Sequence, residues 1–167
     1  MALSLESANL VRQKVYAVFN GVSNESVNTS IWWNATRELF NTLNNKGITQ
    51  LQFVEFDDAS ATTADGQDHG IDAGHKIYMV YCKKRGTATD TYLQVYDDAD
   101  NDSEVIADLR ISLAVLLANQ EVAAFYPTGL DMVDGLVTSF ATAASADSAT
   151  QSTAGDGGDG FYVIGAA

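Results

Sequence analysis

The run Gly155-Asp156-Gly157-Gly158-Asp159-Gly160 has the spacing G-x-G-x-x-G, in which glycines let backbone N–H groups close on a pyrophosphate. That chemistry needs a strand before the run and a helix after it. Here strand-like Phe161–Ile164 follows, and Asp156 and Asp159 would repel phosphate, so the run reads as an acidic turn entering a strand. Asp97, Asp98, Asp100 and Asp102 form a second constellation. The last three imitate the first EF-hand ligands, but Ser103 replaces the required glycine and Leu109 the bidentate glutamate. An EF-hand is excluded, and the run reads as a solvated turn, with a weaker Ca²⁺ site of another geometry left open. His69 and His75, with Asp65, Asp68 and Asp72 nearby, lie in a glycine-containing stretch that does not hold ligands rigidly. Cys82 ends the apolar segment KIYMVYC and reads as a small buried hydrophobe, with no group to complete a nucleophilic pair. No G-x-S-x-G elbow, H-E-x-x-H or P-loop is present. The expectation is a protein with no catalytic residues, cofactor or metal, although two of its 22 acids could still converge.

Charge narrows the partners. Nine Lys+Arg against 22 Asp+Glu give a formal −13 over 167 residues, which disfavours nucleic acid at long range. The imbalance is local. Up to Phe56 four acids and four bases cancel; from Asp57 onward 18 acids face five bases. Lys83-Lys84-Arg85 is the sole basic cluster, too small to hold an anionic polymer and better suited to an acidic protein surface or to the aspartates of a neighbouring copy. No apolar run approaches the ~20 residues of a membrane span, and no signal peptide is expected at the N-terminus.

The length suits one domain, 1–167. An amphipathic helix is expected over about 30–46, capped by Ser30 and closed by Gly47 in the left-handed C′ position. Ile31, Trp32, Ala35, Leu39 and Leu43 share its apolar arc, with Trp33 and Phe40 at the edge. Residues 1–28 read as a possible arm, with a short strand at Lys14–Phe19. Thr49–Phe56 places Leu51 and Phe53 on one face and Val54 and Phe56 on the other, so it is bulged or covered on both sides. Lys76–Cys82 is apolar at both parities, like a central strand, and is expected to form a hairpin with Asp90–Tyr96 through Arg85-Gly86-Thr87. The segment Glu104–Asn119 reads as strand over helix, Gln120–Tyr126 follows as a strand, and Pro127-Thr128-Gly129 as a turn. Val137–Thr142 and Phe161–Ile164 are further strands. An acidic loop is expected over 57–74 and a flexible Gly/Ala/Ser/Asp-rich segment over 143–160. The fold class expected is mainly β (α+β), an antiparallel β-sandwich with one N-terminal amphipathic helix.

The order KIYMVYCKK, GTATDTYLQVYDDADND, an apolar segment ending NQEVAAFYPTGL, then DGLVTSFATAA and a glycine-rich tail closing on DGFYVIGA resembles the small β-sandwich structural proteins of tailed-phage virions, particularly head decoration (cement) proteins. The similarity covers about residues 76–166, without the tryptophan-bearing helical region. It implies a non-enzymatic protein, present in many copies on the outer capsid surface after assembly in the host cytoplasm. Its partners would be the major capsid protein and itself, as a homo-oligomer such as a trimer, with no nucleic acid and no membrane. A tail or fibre-associated adhesion module is the alternative. Interface cores are rich in aromatics and poor in charge, so the neutral N-terminal third is expected to supply most of the contact. The residues expected there are Tyr16, Phe19, Trp33 and Arg37, with the basic cluster Lys83, Lys84 and Arg85.

Overall fold

The computed structural model describes residues 5–21, 27–57, 67–71, 74–85, 91–98, 109–115, 120–142 and 157–166. Helix α1 (Leu5–Gly21) carries Val11, Val15 and Phe19 at i, i+4 and i+8, all buried. It replaces the strand expected at Lys14–Phe19 and, over residues 5–21, the expected arm. Burial of one helical face outweighs the strand preference of KVYAVF. Helix α2 (Val27–Asn45) starts three residues before Ser30 and buries Leu39, Phe40 and Leu43. Its end is a Schellman motif. Gly47 has φ 73°, Ile48 N–H donates to Leu43 C=O at 2.9 Å, and Gly47 N–H donates to Asn44 C=O at 3.0 Å.

The strands are β1 (Leu51–Phe56), β2 (Gln67–Asp68), β3 (His75–Lys84), β4 (Thr91–Tyr96), β5 (Leu109–Val115), β6 (Glu121–Met132), β7 (Val137–Ala141) and β8 (Gly158–Ala166). They form two four-stranded antiparallel sheets, in orders β1-β8-β3-β6 and β2-β7-β4-β5. Pairs β1–β8, β2–β7, β3–β6 and β4–β5 are nested, first strand with last and inward to the middle. This is the strand order of the eight-stranded jelly roll, a long hairpin rolled into two sheets.

The sandwich expected from the sequence is therefore present, but its strands connect differently. Lys76–Cys82 and Asp90–Tyr96 do not form a hairpin, because β3 pairs with β6 and β8 while β4 crosses into the other sheet to pair with β5 and β7. The expected turn at Pro127-Thr128-Gly129 lies within β6. The register on β3 jumps between Ile77↔Leu130 and Met79↔Phe125, so these residues form a bulge, with Gly129 at φ 79°. Pro127 is tolerated because β6 is an edge strand. The 143–156 stretch and most of the 58–73 loop lie outside the described residues; within that loop Gln67-Asp68 adds β2 to the edge of the second sheet.

Three layers result. Ile77, Val80, Cys82, Tyr162 and Ile164 of the first sheet meet Leu93, Val95, Ile111, Val115 and Phe140 of the second. The opposite face of the first sheet, with Leu51, Tyr78, Met79, Tyr81, Phe161 and Val163, packs on Val11, Val15, Phe19, Leu39, Phe40 and Leu43 of the helices. The both-faced apolar pattern of β1 and β3 has this physical cause. Their sheet is the middle layer.

Candidate docking face

The helical layer brings together three of the side chains singled out in the sequence. Tyr16 of α1 and Trp33 of α2 lie across the helix–helix seam with ring centroids 4.8 Å apart, and the edge of Phe40 meets Tyr16 at 5.7 Å. Arg12, one turn before Tyr16, lies over the Phe40 ring with its guanidinium carbon 5.7 Å from the centroid. Its Nη2 reaches Asn44 Oδ1 at 3.4 Å, and its Nε is buried with no hydrogen-bond acceptor. Arg37 is exposed on α2. Burial raises the pKa of the Tyr16 hydroxyl, and the guanidiniums of Arg12 and Arg37 partly offset the rise. Tyr16, Trp33 and Phe40 thus form an aromatic seam between the helices, with Arg12 packed on Phe40 and Arg37 exposed on α2.

The helical layer also exposes apolar and basic side chains. Leu10 is 55% exposed and Ile31 58%. Among the described helical side chains Arg12, Lys14 and Arg37 stand against one acid, Glu38, and Lys46 follows at the C-terminal end of α2. Lys14 Nζ lies 5.2 Å from the Phe53 ring centroid. A carboxylate is the natural ligand for an exposed guanidinium such as that of Arg37, since it takes up charge-assisted hydrogen bonds in a planar fork.

Phe19 does not belong to this surface. It is 2% exposed and packs edge-on against Tyr81 at 5.4 Å and Trp32 at 6.3 Å. The basic cluster is dispersed at the far end of β3 and takes its acidic partners from the same chain. Lys83 pairs with Glu121 at 3.8 Å, and Arg85 Nε donates to Asp159 Oδ2 at 2.6 Å. Lys84 is buried and donates to Thr91 Oγ1 at 2.8 Å. Strand alternation turns neighbouring side chains to opposite faces, so three consecutive bases make no single patch.

Elsewhere the chemistry-bearing residues serve the framework. Asp97 is not solvated. Its side chain is 1% exposed, and its Oδ1 accepts backbone N–H from Val133 and Asp134 at 2.8 Å each and from Gly135 at 3.2 Å. Arg110 donates to its Oδ2 at 3.1 Å. Burial alone would raise the carboxyl's pKa, but these donors outweigh it and hold the group below the ordinary aspartate value. Asp100 and Asp102 lie outside the described residues. His69 Nε2 bonds Thr138 Oγ1 at 2.8 Å, and Thr138 Oγ1 in turn bonds the Tyr162 hydroxyl at 2.6 Å, a polar chain between the two sheets. His75 is buried at the start of β3. Among the described residues no group of three His, Cys, Asp or Glu side chains could hold a metal ion.

Gly158 and Gly160 open β8 rather than cradle phosphate. A Cβ on Gly160 would stand 2.0 Å from the Tyr81 carbonyl oxygen and 2.4 Å from Phe56, so glycine is required by the close approach of β3. A cleft of about 280 Å³ beside it is lined by Glu55, Phe56, Asp57, Gln67, Arg85, Asp159 and Gly160. Gln67 Oε1 and Asp159 Oδ1 are buried without donors.

Sequence reasoning missed Arg12 and Val133, and it read Asp97 as part of a solvated turn rather than as a buried acceptor. Arg12 carried a signal, its i, i+4 spacing to Tyr16, which the strand reading of KVYAVF concealed. Asp97 was hidden among neighbouring aspartates. No protein-family model, curated protein or solved structure matches the chain.

Proposed function

We propose that this chain is a non-enzymatic structural protein of a tailed-phage virion, a capsid decoration protein docking on the outer shell through its helical layer. The observation that carries this reading is the aromatic seam of Tyr16 and Trp33 between the two helices, with Arg12 over Phe40 beside it and Arg37 exposed one turn after Trp33 on α2. A surface with aromatic and arginine anchors has the composition of interface cores. The neutral part of the chain forms that layer, while the acidic part builds most of the sandwich behind it and suits a surface turned to solvent. The jelly-roll order supports the reading by analogy, since the fold recurs in viral coats; it recurs equally in lectins and cupins, so the fold alone does not choose.

Cosedimentation with isolated capsid shells tests the proposal. Wild-type protein is expected to bind in hundreds of copies per particle, and Arg37→Glu, an exposed change, to bind far more weakly. Equal binding by Arg37→Glu and wild type would overturn the docking role of the helices. A handful of copies would favour a tail-associated adhesion module instead. The cleft near Arg85 suits that second reading, because Glu55, Asp57, Gln67 and Asp159 line it with side chains of the kind that hydrogen-bond glycan hydroxyls.

A further inference from the structure

Strand β6 is the longest of the four edge strands, and its first half is an open edge. Val122, Ala124 and Tyr126 pack on the core between the sheets, while Ala123 and Phe125 pack under the helices. Both faces are therefore covered, yet every residue from Glu121 to Tyr126 is only half-buried, whereas Ile77–Cys82 of the neighbouring β3 are buried. The exposure that remains lies along the edge. Hydrogen bonding fixes which groups that edge shows. Lys84 N–H donates to the Gln120 carbonyl at 2.8 Å, so residues 120, 122 and 124 turn their backbone groups to β3, and Glu121, Ala123 and Phe125 turn theirs outward. Among the described residues no backbone group outside β3 bonds to those three. Edges are commonly blunted by proline, bulges or charge. Pro127 and the bulge at Gly129 blunt the second half of β6, where Lys46 Nζ also donates to the Pro127 carbonyl at 3.3 Å. The first half carries one charge, on Glu121, which pairs with Lys83 at 3.8 Å. From Val122 to Leu130 no residue is charged, on a chain with a formal −13.

We propose that two copies of this chain pair edge to edge through Glu121–Phe125 of β6, antiparallel about a two-fold axis at Ala123. In this register Ala123 meets Ala123 and Glu121 meets Phe125 of the other copy, and all three outward residues exchange N–H and C=O. Outward groups recur at every second residue, so the neighbouring two-fold registers centre on Glu121 or on Phe125. The first sets two carboxylates opposite each other. The second sets Pro127, which has no N–H, opposite Ala123. The strand is therefore complementary to itself at one position. Contact between two copies of so acidic a chain also has to fall where charge is low, and the β6 edge meets that condition. The product is one continuous sheet twice as wide, an isologous dimer in which each copy closes the other's β6 edge.

Sedimentation velocity of the full chain over a concentration series, with amide hydrogen exchange followed by NMR at both ends of the series, tests this. Wild type is expected to dimerise. The N–H groups of Glu121, Ala123 and Phe125 are expected to exchange at least about tenfold more slowly in the dimer than in the monomer, and those of Val122 and Ala124, already bonded to β3, to change less. Ala123→Pro removes the central outward N–H without taking a bond from β3, and is expected to weaken association about tenfold or more. Circular dichroism matching wild type establishes that this variant is folded; if it is not, the exchange pattern of the wild-type chain decides. Wild type that stays monomeric at about 0.1 mM overturns the proposal. So do dimers whose three outward amides exchange as in the monomer, and a folded Ala123→Pro that associates like wild type. Monomeric wild type that nonetheless binds capsid shells would overturn the dimer and leave the docking role of the helices standing; dimers that bind no shell would do the reverse.

Discussion

Replacing Asp97 tests how far one buried carboxylate holds the β6–β7 turn. In Asp97→Ala four donors lose their acceptor, namely the N–H groups of Val133, Asp134 and Gly135 and the guanidinium of Arg110. Gly135 is buried, so its orphaned N–H costs about 1–3 kcal/mol. Val133 and Asp134 are exposed enough for water to replace the carboxylate, at about 0.5–1 kcal/mol each. Arg110 is 39% exposed, so its loss adds less than about 1 kcal/mol. The expected total is about 2–6 kcal/mol, with about 2 kcal/mol for Asp97→Asn, which keeps Oδ1 but turns an amide N–H₂ towards Arg110. Urea unfolding at neutral pH reads this as a lower midpoint at unchanged m-value. The carboxyl's pKa is lowered by folding, so its stabilisation is complete above the unfolded aspartate value near 3.8 and is lost as pH falls through the lower folded value. Asp97→Ala should therefore differ most from wild type at neutral pH and least in strong acid. A loss below about 1 kcal/mol, or an Arg110→Gln loss as large as that of Asp97→Ala, would refute the reasoning.

His69 is held neutral between the sheets, with a pKa lowered to about 4 by burial against the weaker opposing pull of Asp68. Its contribution is complete above the unfolded imidazole value near 6.5 and falls away towards pH 4, a loss of roughly 2–3 kcal/mol that urea titrations of His69→Gln should lack. Gly160→Ala forces a methyl group towards the Tyr81 carbonyl and should cost at least about 1–3 kcal/mol, while Gly47→Ala, with open space at its Cβ, pays only for its left-handed backbone at about 1 kcal/mol; thermal melts separate them. Phe19→Ala should cost about 3–5 kcal/mol of folding stability as a core cavity, and Leu10→Ala, on the exposed face, less than about 0.5 kcal/mol.

What the sequence reveals follows the range of the interaction concerned. Helix α2 is legible because its apolar arc and the Gly47 stop are local. The middle-layer status of β1 and β3 is legible because two-sided burial leaves both parities apolar. Helix α1 is misread because KVYAVF scores as strand on composition, and its helical spacing is evident only from Val11 through Phe19. The partner of β3 cannot be read from proximity in the chain, since β8, at the other end of the roll, inserts between β1 and β3. The aromatic seam between the helices shares this limit. Tyr16 and Trp33 were recognisable as residue types, but Arg12 joins them only once two helices are placed side by side.

The nested strand order also sets a timetable for synthesis. The floor under the helices includes Phe161, stacked on Tyr81 at 5.2 Å and on Phe53 at 4.7 Å, and Phe161 belongs to the strand made last of the eight. While the ribosome is still delivering residues before Gly158, the first sheet has a gap at its centre and the two helices have no complete bed. Such distant pairing makes folding slow. The bed under the helical layer, the face proposed above to dock, is therefore completed only after β8 has emerged.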